Sequence, residues 1–137
     1  MFLALGACRS ATPPAPAAVR APIQLPVIDA RALDDTTLTA ELVEQRIADD
    51  YLAGLRRCYD DALAEDPQLR GTLTIAFEYS ERQGAYATKV VASDIGLIGC
   101  VDGLVDGWRF ASPTDAAGQA VEARFEVTLD LTPARVE

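Results

Sequence analysis

The sequence predicts an α+β fold: a two-layer sandwich in the order helix, strand, strand, helix, strand, with a three-stranded antiparallel sheet and two helices on one face. Three observations predict it. Apolar residues recur at four-residue steps from Val43 to Leu63, strict two-residue alternation marks 71–79 and 121–131, and a shorter helical stripe lies between these two segments. A strand that is apolar on one face and charged on the other belongs to a sheet covered on one side only, and the two helical stripes supply the cover.

The first helix starts where Thr37 or Thr39 can cap it, with Glu41 and Glu44 near the positive end of its dipole. Its stripe is Val43, Ile47, Tyr51, Leu55, Tyr59 and Leu63, widened by Leu42 and Leu52. It ends near Asp66, because Pro67 disfavours helical geometry in the residue before it. Leu73, Ile75, Phe77 and Tyr79 then line one face of the first strand, opposite Thr72, Thr74 and Glu78. Ser80 to Gly84 form a hairpin loop, and the return strand sets Tyr86, Thr88 and Val90 on one side. Ser93 or Asp94 caps the second helix, whose stripe is Leu97, Ile98, Val101, Leu104, Val105 and Trp108. From Val121 to Leu131, Val, Ala, Phe and Leu alternate with Glu, Arg, Thr and Asp, giving the clearest strand in the chain. Reversals of direction favour this strand lying antiparallel beside the first.

The 137 residues, half of them apolar, suffice for one compact domain and a tail. Twenty-one acidic against twelve basic residues give a net charge of −9, with no basic run to match phosphates, so nucleic acid and anionic membrane surfaces are poor partners. Histidine is absent, which removes the usual general base, the usual zinc ligand and any Ser-His or Cys-His pair.

The N-terminus differs from the rest. Residues 1–8 are apolar and end in Leu5-Gly6-Ala7-Cys8, which resembles a bacterial lipobox with Cys8 as the lipid attachment site. The segment is too short to span a bilayer, and no Lys or Arg precedes it. Residues 9–37 read as a Pro/Ala-rich tether between anchor and domain, and residues 38–133 as the folded domain. Membrane contact is expected only through the lipid.

Cys58 and Cys100 each flank the apolar stripe of a helix, and both helices lie on the same sheet face. That placement brings the pair within reach of a disulfide, the ordinary state of cysteines in an exported chain. Two separate buried thiols, a redox-active pair and a metal site are the alternatives. The redox pair lacks a C-x-x-C, although Arg56 and Arg57 adjoin Cys58, and two thiolates without histidine leave a tetrahedral site half empty. Asp49-Asp50, Asp60-Asp61, Asp102 and Asp106 show no calcium-loop spacing and read as solvated helix faces. Gly96, Gly99, Gly103 and Gly107 form a stripe away from the second helix's apolar face. Either that helix is weakly formed or another backbone approaches it there.

Several spaced elements resemble a known family. Cys58-Tyr59 on a helix, Asp66-Pro67-Gln68-Leu69-Arg70-Gly71 entering a strand, Gly84 in the hairpin, Cys100, and Trp108-Arg109-Phe110 follow the order seen in the C-terminal domain of myxobacterial AgmX/PglI-type gliding-motility proteins. The likeness covers about residues 40–130 and departs at Ala111-Ser112-Pro113, where the family usually has proline directly after phenylalanine. The family is in turn similar to the C-terminal domains of TonB and TolA. What the resemblance implies is a periplasmic protein-interaction module that works by strand addition at a sheet edge.

The expected function is that of a non-enzymatic cell-envelope lipoprotein, on the periplasmic face of the outer membrane, binding another envelope protein or a cell-wall component. Arg9 after Cys8 resembles an outer-membrane sorting pattern. No catalytic residue, metal or cofactor is assigned. A periplasmic thiol redox protein using Cys58 and Cys100 is the alternative, and a cytosolic fragment without an anchor is a third reading. Exposed edges invite a homodimer as readily as a foreign strand.

Overall fold

Strict alternation seats the last strand inside the sheet, where both of its flanks are paired. β4 (Ala123–Leu131) runs antiparallel to β2 (Gly71–Ser80), with Phe125 opposite Phe77 and Val127 opposite Ile75. The computed structural model describes residues 28–131. On the far side of β2 lies β3 (Gly84–Val91), and on the far side of β4 lies β1 (Ile28–Ala32), so the all-antiparallel order is β1-β4-β2-β3. The sheet therefore has four strands, not three. β1 falls within the residues assigned to the tether, 9–37, and carries the weakest pattern in the sheet: Ile28, Ala30 and Ala32 alternate with Asp29 and Arg31 just after a Pro/Ala-rich stretch.

Helices α1 (Ala40–Arg46), α2 (Leu52–Glu65) and α3 (Ile95–Val105) supply the second layer. Thr39 caps α1 by accepting the Leu42 N–H, Asp94 caps α3 by accepting the Leu97 N–H, and Asp66 ends α2 in extended geometry before Pro67. Against them the sheet buries Leu73, Ile75, Phe77 and Tyr79 from β2 and Phe125, Val127, Leu129 and Leu131 from β4. Trp108 belongs to this core but not to α3, which stops at Val105.

A single π-helical turn, Ile47–Tyr51, separates α1 from α2. Its cause is the four-residue step of the stripe. An α-helix repeats every 3.6 residues, so positions four apart drift by about 40° each step, or roughly 200° from Val43 to Leu63. One wider turn absorbs a residue and returns Leu55 and Tyr59 to the face that Val43 and Ile47 already use. Leu42 does not widen this stripe; it is half exposed.

β3 contains the second irregularity. Its register against β2 shifts between Ala76 and Glu78, leaving Ala87 and Thr88 opposite Phe77 alone, and Ala87 takes a φ of 51°. The bulge splits the face expected for Tyr86, Thr88 and Val90. Val90 pairs with buried Ile75, whereas Tyr86 pairs with Glu78 and so joins the opposite, open face of the sheet.

Among the described residues, the glycine stripe of α3 meets no backbone from another element. A Cβ at Gly99 or Gly103 would stand in open space, and the helix forms despite them. Left-handed backbone disfavours a Cβ, while mid-helix backbone favours one. Replacing Ala87 by Gly and, separately, Gly103 by Ala is accordingly expected to raise the unfolding free energy by about 1 kcal/mol each in chemical denaturation.

Candidate functional site

α2 and α3 pack antiparallel, and small residues set how closely. A Cβ on Gly54 of α2 would come within 3.2 Å of the Leu104 side chain on α3. One turn along, Cys58 faces Cys100, and the two are joined by a disulfide with Cα atoms 5.7 Å apart. Gly54 with Leu104 and Cys58 with Cys100 thus form two successive rungs, four residues apart on each helix. Cys58 is buried, whereas Cys100 lies at the surface. Gly54 escapes a reading of the stripe, although its four-residue offset from Cys58, matched by Leu104 and Cys100, carries the signal.

Next to this helix pair, two tyrosines hold the segment that leaves α3. Tyr51 OH donates to the Arg109 carbonyl (3.1 Å) and accepts the Arg109 N–H (2.8 Å). Tyr79 OH does the same for Phe110, at 2.9 and 2.8 Å. In extended backbone the N–H and C=O of one residue point to the same side, and those of its neighbour to the other. Two phenols on opposite flanks therefore satisfy four backbone groups that no strand pairs. The rings add contact of their own: Tyr51 stacks on Trp108, and Phe110 stacks on Phe77. Arg109 folds its guanidinium back onto the Trp108 and Asp106 carbonyls and lies against Gly84, whose φ of 72° disfavours a side chain. Tyr59 OH ties down the Leu69 carbonyl at 2.6 Å, and burial pushes its ionisation up.

The open face of the sheet is polar. Arg31 pairs with Glu126, and Arg124 forks onto both carboxylate oxygens of Asp34, holding that carboxyl below its ordinary range. Tyr86 stands among carboxylates. Glu122, together with partial burial and the charge of Glu78, pushes the phenol up to about 12, and among the described residues its hydroxyl has no hydrogen-bond partner of good geometry. Asp49, Asp50, Asp60, Asp61, Asp102 and Asp106 are all exposed. Among the described residues, no three His, Cys, Asp or Glu side chains gather where they could hold a metal ion, and no helix is long and apolar enough to cross a membrane. Cys8 lies outside the described residues.

The two sheet edges differ. On β1 the Glu44 carboxylate accepts the outward Ala30 N–H at 2.9 Å. At the other edge, β3 has the bulge at Ala87, and the exposed apolar side chains of Val91 and Ile95 lie at its end and at the start of α3. No protein-family model, curated protein or solved structure matches the chain.

The geometry sets two expected outcomes. Replacing both Cys58 and Cys100 by Ser opens a loop spanning 42 residues and should lower the unfolding free energy by about 4 kcal/mol, measured by denaturant titration without reductant. Because the folded chain holds the Tyr86 proton above the ordinary value near 10, the unfolded chain ionises first and stability falls as pH rises from about 10 through 12. Phenolate absorbance should show a late-titrating tyrosine that Tyr86→Phe removes and Glu122→Gln shifts toward lower pH.

Proposed function

We propose that this chain is a non-enzymatic cell-envelope lipoprotein, anchored through Cys8 and exposed to the periplasm, whose disulfide-closed domain binds an extended segment of another envelope protein. The observation that carries the reading is the Cys58–Cys100 disulfide, because such bonds persist in oxidising compartments and are rare in the cytosol. The lipobox-like Leu5-Gly6-Ala7-Cys8 and the AgmX/PglI-like order of Cys58-Tyr59, Gly84, Cys100 and Trp108-Arg109-Phe110 support the same compartment and the same class of module.

Strand addition suits β3 better than β1. The outward N–H of Ala30 on β1 already has an acceptor, while β3 ends beside two apolar side chains that a partner would cover, with Ile95 85% exposed and Val91 51% exposed. The partner then contributes main-chain hydrogen bonds along β3 and apolar contacts at its end. The aromatic cluster and the helix pair pack against the opposite face of the sheet from Tyr86 and Glu78.

The periplasmic thiol redox alternative draws on the surface position of Cys100 opposite buried Cys58. Alkylation and intact mass of protein recovered from its own envelope separate the two. A disulfide that resists mild reductant is expected; an easily reduced, alkylation-reactive pair sinks the binding module in favour of the redox protein, and two free thiols sink the exported reading altogether. In capture from envelope extract with the full chain as bait, Val91→Asp with Ile95→Asp should lose the bound partner by tenfold or so while leaving the fold intact by circular dichroism. Capture unchanged by that pair removes β3 as the docking edge.

A further inference from the structure

We infer that Glu44 is a latch that keeps β1 from adding a second copy of the same chain. The inference concerns self-association at β1 and stands apart from partner binding at β3, so either can fail alone.

The pairing of β1 with β4 decides which backbone groups face outward. Just past β1, the Leu33 N–H bonds inward to the Arg124 carbonyl at 2.9 Å, so the odd-numbered residues of this stretch turn toward β4. Ala30 turns the other way, and its N–H meets the Glu44 carboxylate.

That outward edge is complementary to itself. If two copies pair antiparallel about Ala30, each Ala30 faces the other, Ile28 faces Ala32, and Asp29 faces Arg31. The two Ala30 residues become the central pair that exchanges both N–H···O=C bonds. Asp29 and Arg31 fall at the non-hydrogen-bonded positions, where side chains approach most closely, so the pairing brings together two sets of opposite charges. On the other face Ile28, Ala30 and Ala32 extend the apolar layer that begins at Leu129, Val127 and Phe125. A two-fold axis through Ala30 satisfies all of these at once, as a closed symmetric dimer requires.

Glu44 holds the one donor this arrangement needs most. It gives the Ala30 amide a charged acceptor and sets a carboxylate where the second strand would run, a form of edge protection found in natural sheets.

Sedimentation equilibrium on the full chain tests the latch. Wild type is expected to be the weaker associator, with Glu44→Ala forming dimers at least about tenfold more tightly. Glu44→Met, which keeps length and helix propensity but offers the Ala30 N–H only a weak acceptor, should show the same gain, and Glu44→Gln, whose amide oxygen still accepts that hydrogen bond, should stay near wild type. Adding Ala30→Pro to Glu44→Ala removes the outward N–H without touching the β4 ladder and should abolish the gain. Adding Asp29→Arg instead sets like charges opposite each other and should weaken it. Circular dichroism checks the fold of each variant. Unchanged association in both Glu44→Ala and Glu44→Met, or a gain that survives folded Ala30→Pro, overturns the inference.

Discussion

The close crossing of α2 over α3 is the constraint on which the rest of the structure depends. A sheet covered on one face needs its helices side by side, and here the gap between them is set by Gly54 under Leu104 and closed by Cys58 with Cys100. Because Cys58 is buried, that rung belongs to the core as much as to the surface. With α3 fixed, its exit is fixed too, and Trp108 and Phe110 drop into the aromatic layer over Phe77. Tyr51 and Tyr79 then satisfy the backbone of that exit. Tyr51 reaches it because the π turn places it there, so an irregularity in the first helix and the end of the last helix are parts of one arrangement.

Much of this was legible in the residues. β4 announced itself because each apolar residue from Ala123 to Leu131 is flanked by a polar one, a pattern with one structural solution. The antiparallel neighbour of β2 followed from reversals of chain direction, and the pairing of Cys58 with Cys100 from placing both helices on one face. Less legible were features in which two local rules compete. The stripe from Val43 to Leu63 reads as one helix, yet its period of four cannot stay on one face of an unbroken α-helix. Tyr86 and Val90 share parity, but the extra residue at Ala87 reverses it, and an alanine gives no glycine signal for such a bulge. β1 was hidden by its small side chains, which look like a continuation of the Pro/Ala stretch before it. Starting the domain at Leu38 would strip that strand away and leave one flank of β4 unpaired.

The candidate site was legible only in its covalent part. Cys58 and Cys100 stand out in any reading of the chain, whereas Glu44 looks like an ordinary acidic residue on a short helix until β1 is known to lie beside it. The same holds for the sheet edges, which exist only once strand order is known. Their unlike treatment, one amide capped by a carboxylate and the other edge bulged beside exposed Val91 and Ile95, gives the molecule a polarity across the sheet that its composition does not record.

The register of β1 against β4 has a mechanical consequence. Ile28 lies opposite Leu129, so the chain enters β1 and leaves β4 at the same end of two neighbouring strands. A pull on both termini meets that ladder as a zipper, opening rung by rung, instead of as a lap joint loaded all at once. Once β4 has also been stripped from β2, the tension runs from α2 to α3 through sulfur, and the chain enclosed between Cys58 and Cys100 carries none of the load.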